Sequence, residues 1–394
     1  MATTPAASNV SELKAHALEA LSELEAETRE LALRIHAHPE VGFQEIQAVQ
    51  WISEMLGRHG YQVQVGVAHI PTAIVARAQG RGTGPTVGLI AEYDALAGLG
   101  HGCGHNLMAA GMAAAAVALK AVLPELNGTV AYYGTPAEEG GGGKIFMLER
   151  GAFQGCDAAI QYHAGDGVSV ATGCLAVQRV DFEYSGRSAH SAAAPWNGLN
   201  ALDAVIQLFN SINAMRQQVR PDTRIHGIVT NGGQAVNVIP ERAAAAFGIR
   251  SSDSAYHKEL IARVETCGRA AAEATGTTVT ISKGLLFDAL KYNATLGDLI
   301  KTNAQALGFK IEEQFVGAST DLGNLSQALP TISYTLPTCP PGVGMHTREA
   351  LEAARSEIGL AGMMNDAKVM VMAAIDLLVV PGLAERAWAD FKQR

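Results

Sequence analysis

Six residues of metal-binding type lie in short, mostly glycine-flanked segments: Cys103 and His105 in HGCGH, the adjacent Glu138 and Glu139, His163 in QYH, and His346 in GMH. Thiolate, imidazole and carboxylate are the groups that hold zinc-like divalent ions. Together the six read as a binuclear metal site. Adjacent carboxylates on an irregular loop allow one to ligate while the other faces a water and takes its proton. Gly102 and Gly104 leave Cys103 and His105 room to reach one ion. No single residue carries this reading, because a lone Cys-x-His is commonly incidental, paired acids are commonly a solvated turn, and an isolated His is commonly a satisfied polar group. Their joint occurrence is the signal.

Two other chemistries fail on inspection. The run GGGGK (140–144) invites a phosphate-loop reading, but Glu138 stands where that motif needs its first glycine and Ile145 where it needs Ser or Thr. A flexible turn passing near a metal site accounts for it better. A serine hydrolase would need a G-x-S-x-G elbow, which the sequence lacks.

The elements that must position these residues follow from periodicity. Apolar residues at Leu13, Leu18, Leu21, Leu24 and Leu31, followed by Pro39, predict one amphipathic helix over 11–38. Short apolar runs at 86–92, 128–134 and 157–162, with a helical stretch at 105–123, predict a βαβ sheet. Each suspected ligand then follows a strand, where open α/β sheets build their sites. Between 177 and 287 the pattern changes to strand, helix (199–217), strand (224–230), strand (242–250), helix (256–275), strand (277–282). That is the βαββαβ order of a ferredoxin-like unit. His346 lies beyond this segment while its partners precede it, so the predicted fold is α/β with a discontinuous catalytic domain (1–176 and 288–394), a central mixed sheet, and an inserted α+β lid (177–287).

With 394 residues, two domains are expected. The net charge of −9, with no Lys/Arg cluster, argues against a nucleic-acid partner. Five cysteines at irregular spacing do not form a disulfide framework and fit a reducing cytoplasm. The opening MATTPAASNV lacks the features of a secretory signal, and the most apolar run, 107–119, reads as a buried helix rather than a membrane span.

The segments HPEVGFQE (38–45), AEYDALAGLGHGCGHN (91–106), GTPAEEGGGG (134–143), QYHAG (161–165), SGRSAHSAAAPWNGLNAL (185–202), GGQAVNVIPERA (232–243), STDLGN (319–324) and GMHTREA (344–350) resemble metallopeptidase family M20, in its amidohydrolase branch, subfamily D. The resemblance runs in order along nearly the whole chain. It implies that Cys103, His105, Glu139, His163 and His346 are metal ligands for two divalent ions, zinc or manganese with cobalt also acceptable, and that Glu138 is the general base. It implies that Asp94 orients a ligand histidine, although a capping role competes. By the same resemblance His190 is the lid histidine that, in dimeric members, reaches across to stabilise the oxyanion. Asn237 and Arg250 would hold the substrate's carboxylate or backbone, although Asn237 also suits a turn.

The implied activity is cleavage of the amide of an N-acyl amino acid or dipeptide-like small molecule by a homodimer paired through its lid. Two departures refine the substrate. Asn106 stands where members acting on indole-acetyl or hippuryl conjugates carry Asp, and EYDALAG where they carry MDALP. Both resemble the sub-branch of aminobenzoyl-glutamate hydrolases and β-alanyl or similar dipeptidases. Three rivals share most of these residues: a non-catalytic metal-binding protein, a homologue that deaminates an aromatic amine, and a thiol enzyme using Cys103 as nucleophile.

Overall fold

The computed structural model describes residues 7–393. Most of the opening segment read above for a leader therefore lies outside the described residues. The strands in chain order are β1 (Gln62–Val65), β2 (Ile74–Gln79), β3 (Gly82–Ala91), β4 (Asn127–Gly134), β5 (Ala158–Tyr162), β6 (Ser169–Cys174), β7 (Ala176–Ser185), β8 (Arg224–Asn231), β9 (Arg242–Ser251), β10 (Thr278–Phe287), β11 (Glu312–Val316) and β12 (Thr331–Thr335). They form an eight-stranded sheet, ordered β1-β2-β4-β3-β5-β12-β6-β11, and a four-stranded sheet, ordered β10-β7-β9-β8. The chain divides into two compact units: Met1–Gly173 with Lys291–Val316 and Asn324–Arg394, and Cys174–Leu290 with Gly317–Gly323.

In the first unit the four middle strands, β4, β3, β5 and β12, are parallel, and antiparallel strands flank them. Val87, Leu89 and Ile90 of β3 and Ile160 of β5 are fully buried, as expected for strands covered on both faces. The helix His105–Val122 is buried almost all round and packs against Glu357–Val379. Both are long and apolar enough to cross a membrane by composition, yet 83% and 78% of their apolar windows are buried inside the protein, so they are core helices. The helix expected over 11–38 is two, Ala7–Glu23 and Glu25–Ala37. The chain turns at Leu24, whose N–H donates to Leu21 O at 3.2 Å, and both halves pack on His105–Val122. Periodicity carries through such a turn because Leu21, Leu24 and Leu31 all stay buried.

The second unit follows the βαββαβ order, with helices Ala201–Met215 and Ser254–Thr275. Val180, Phe182 and Tyr184 alternate into its core. Asn200 and Asp253 begin the helices by accepting from Leu202 N and Tyr256 N, the usual way to satisfy free N–H groups. Residues 317–323 join this unit, and Leu175 N donates to Ala318 O at 3.0 Å.

Candidate metal centre

The four parallel strands each deliver part of one site from their carboxyl ends. Glu92 and Asp94 follow β3, Glu138 and Glu139 follow β4, His163 follows β5, and His346 stands on the loop after β12. Cys103 and His105 enter from the loop that opens the helix His105–Val122. Gly104 has φ 73°, and a Cβ there would meet Ala164 Cβ at 2.5 Å, so only glycine lets this loop close on the strand beside it. His346 N donates to Gly102 O at 2.9 Å, tying the late loop to HGCGH.

The donor atoms meet in three pairs. Cys103 Sγ lies 3.7 Å from His163 Nε2, His346 Nε2 lies 3.2 Å from Glu139 Oε1, and His105 Nε2 lies 3.3 Å from Glu92 Oε2. Two donors about 2.0–2.3 Å from one shared ion stand about 3–4 Å apart, so each pair has ligand spacing. Cys103, His105 and His163, then Cys103, Glu139 and His346, then Glu92, His105 and Glu138, form triplets with all donor atoms within 4.8 Å. His105 Nε2, Glu92 Oε2 and Glu139 Oε1 are buried without a hydrogen-bond partner. Such orphans are costly unless something else satisfies them, and these donors fit divalent cations.

The electrostatics agree. Burial alone would lower the His105 pKa, but the Cys103 sulfur and the Asp94 carboxylate raise it well above the usual imidazole range, so this pocket favours positive charge at that ring. Burial keeps His163 below the usual range and therefore neutral, as a ligand must be. Burial also pushes the Cys103 thiol up to about 12, the opposite of an activated nucleophile.

Asp94, itself 1% exposed, braces two of these residues. Its Oδ1 is 3.1 Å from His105 Nδ1, and its Oδ2 accepts from Glu139 N at 3.0 Å. The backbone turns sharply just before Glu138: Ala137 has φ 57°, a cost a non-glycine residue bears only when its surroundings impose it. Here Glu45 Oε1 accepts from Ala137 N at 2.8 Å, and Gly142 N donates to Ala137 O at 2.8 Å. His346, at φ 64°, is strained likewise.

Three residues of the site escaped the sequence reading. Glu45, buried beneath the Glu138 turn, has its carboxyl pushed up to about 7 by burial. Glu92 and Lys144 are fully buried and paired at 2.6 Å, and Gln161 Nε2 donates to the same Glu92 oxygen at 2.7 Å. Burial would raise the Glu92 carboxyl, but Lys144 and the site histidines bring it down to about 2. The lysine of GGGGK thus serves as a buried counter-ion, and an acid ending an apolar strand was the signal that could have found its partner.

Asn106 is buried, and its Nδ2 donates to Ala32 O at 3.2 Å and Ala354 O at 2.9 Å, so it faces the helical core and marks the sub-branch without touching substrate.

In the second unit, His190 is exposed, and its Nδ1 accepts from Ala192 N and Ala193 N at 3.2 Å each. The neutral ring therefore carries its proton on Nε2, as a free donor. Asn237 adjoins it, through Ser191 N to Asn237 O at 3.1 Å. Arg250 is elsewhere: it donates to Ser319 Oγ at 3.0 Å, eight residues along β9 from Arg242, which pairs with Ser185 at the root of the His190 loop. At about 3.3 Å per residue, Arg250 and that root occupy opposite ends of the sheet.

Comparison with known proteins adds three findings. The sequence profile described as peptidase family M20/M25/M40 matches residues 86–362. A human Xaa-Arg dipeptidase is 34% identical over 96% of this chain and 92% of its own, and one of the chains of p-aminobenzoyl-glutamate hydrolase from Escherichia coli K12 is 28% identical over 92% of both. A dinuclear metal-binding M20 peptidase of Bacillus subtilis superposes with a TM-score of 0.69 at 19% identity, over 89% of this chain and 98% of its own, which shows a shared fold.

Proposed function

The chain belongs to peptidase family M20/M25/M40, and on that premise we propose that it is a metal-dependent amidohydrolase cleaving the amide of N-acyl amino acids or small dipeptide-like substrates. The observation that carries this reading is the convergence of Cys103, His105, Glu138, Glu139, His163 and His346, with Glu92, at the ends of four parallel strands, leaving buried donor atoms unsatisfied. The names of the two relatives matched over more than nine-tenths of their length, a dipeptidase and an aminobenzoyl-glutamate hydrolase, support a small substrate with an amino-acid leaving group.

Cys103, His105, Glu139, His163 and His346 would hold two divalent ions. Bound there, the ions would polarise the substrate carbonyl and lower the pKa of the attacking water. A thiolate in the set favours zinc, and the carboxylates accept manganese or cobalt. Glu138, on its strained turn, takes the proton of that water and returns it to the departing amine. His190, with Nε2–H free, donates to the developing oxyanion, and we assign this role across a homodimer paired through the second unit. Exposed Ile228 and Val229 on the edge strand β8 support that pairing. Asn237, beside His190, is assigned to the substrate's polar groups; Arg250, at the opposite end of the sheet, cannot share that contact within one chain. The five free thiols are compatible with a reducing, cytoplasmic setting.

The test is chelation followed by reconstitution with zinc, manganese or cobalt, assayed on N-acyl amino acids, β-alanyl and Xaa-Arg dipeptides and aminobenzoyl-glutamate. Activity should vanish and return with acid and amine as products. Turnover that survives complete metal removal, or release of ammonia alone, would refute the assignment; light scattering decides the dimer.

A further inference from the structure

We propose that Glu92 is a sixth protein ligand of the metal pair, sharing one ion with His105; this rests on the metal-dependent reading above. His105 donates from Nδ1 to Asp94 O at 3.0 Å and to Oδ1 at 3.1 Å, which leaves Nε2 as the ring atom offered to the site. Nε2 faces Glu92 Oε2 at 3.3 Å. Both atoms are buried, and neither has a hydrogen-bond partner. A carboxylate oxygen and a ring nitrogen held against each other out of water need positive charge between them, a proton on Nε2 or a metal ion, and their spacing is that of two ligands on one ion.

The rest of the carboxylate is fixed in place. Oε1 accepts from Lys144 Nζ at 2.6 Å and from Gln161 Nε2 at 2.7 Å, so Oε2 alone is turned to the site. Glu92, Lys144 and Gln161 are at most 1% exposed. Lys144 offsets the charge of an acid buried among other acids, and Gln161 sets its rotation, as outer partners do for ligating carboxylates. Glu138 lies within the same 4.8 Å triplet, so an ion on Glu92 and His105 stands next to the general base.

The experiment measures metal content and affinity of the full-length protein by competition with a chromophoric chelator, using zinc and then cobalt, whose visible spectrum reports its donor set. The wild type should hold two ions per chain. Glu92→Gln should bind one of them more than 100-fold more weakly and change the cobalt spectrum, a larger loss than the roughly 10–100-fold that follows removal of an outer partner. Because Glu92→Gln removes the carboxylate that faces the buried Lys144, the double variant Glu92→Gln/Lys144→Met is measured beside it and should show the same weakened ion. Two ions at wild-type affinity with an unaltered spectrum in either variant would overturn the assignment, as would restoration by the second substitution. A wild type that binds no ion would instead remove the metal-dependent reading, and this inference with it.

Discussion

Asp94 grips His105 twice through one ring nitrogen: Nδ1 lies 3.0 Å from the Asp94 carbonyl oxygen and 3.1 Å from its Oδ1. This fixes the ring so that Nε2 is directed into the site, while Oδ2 anchors the Glu139 backbone. Asp94→Asn keeps the shape but turns an amide donor toward either His105 or Glu139 N–H. Metal affinity should fall about 10–100-fold, measured by chelator competition, and an unchanged affinity would show that the grip is incidental.

Glu138→Gln should separate binding from chemistry. The side chain keeps its size and loses the ability to take a proton, so kcat should fall about 10²–10⁴-fold while metal content by elemental analysis stays at the wild-type level. Near wild-type turnover would remove Glu138 from its role.

Asn106→Asp tests whether this position reads substrate or supports the fold. A carboxylate there would face the Ala32 and Ala354 carbonyls as a buried charge without a donor. The cost should be about 3 kcal/mol or more, seen as a lower denaturation midpoint, with the order of preference over the substrate panel unchanged. A stable variant with switched preference would show that Asn106 reads the substrate.

Glu45 gives a pH dependence with a definite sign. Its folded carboxyl titrates at about 7, against an ordinary 4.5, so between those values the folded state holds the extra proton. Stability from this group is fully present below about 4.5 and is lost as pH rises through about 7, by up to about 3 kcal/mol. Glu45→Gln keeps an acceptor for Ala137 N and should lack this loss. Denaturant titrations of both proteins at pH 5 and pH 8 measure it; parallel profiles would contradict it.

Residue chemistry and local spacing were enough to nominate the site. Ligand-type side chains after apolar runs point to strand ends, and period-2 and helical patterns in 177–287 give the βαββαβ order, because an element's exposed and buried faces are written in its own residues. Where a side chain points once elements pack is not local. Glu92 and Lys144 stand 52 residues apart and read singly as ordinary surface charges, until neighbouring strand and helix bury them against each other. Asn106 sits beside a candidate ligand in sequence yet faces the opposite way, since consecutive helical residues point in different directions. The resemblance gives both His190 and Arg250 to the lid, yet strand register puts Arg250 at the opposite end of the sheet from Ser185, the root of the His190 loop. The sequence alone thus determined which chemistry the chain carries and which elements bear it. Only the tertiary structure decided which charges are buried together and which side chains turn into the site, because burial and direction depend on contacts between distant segments.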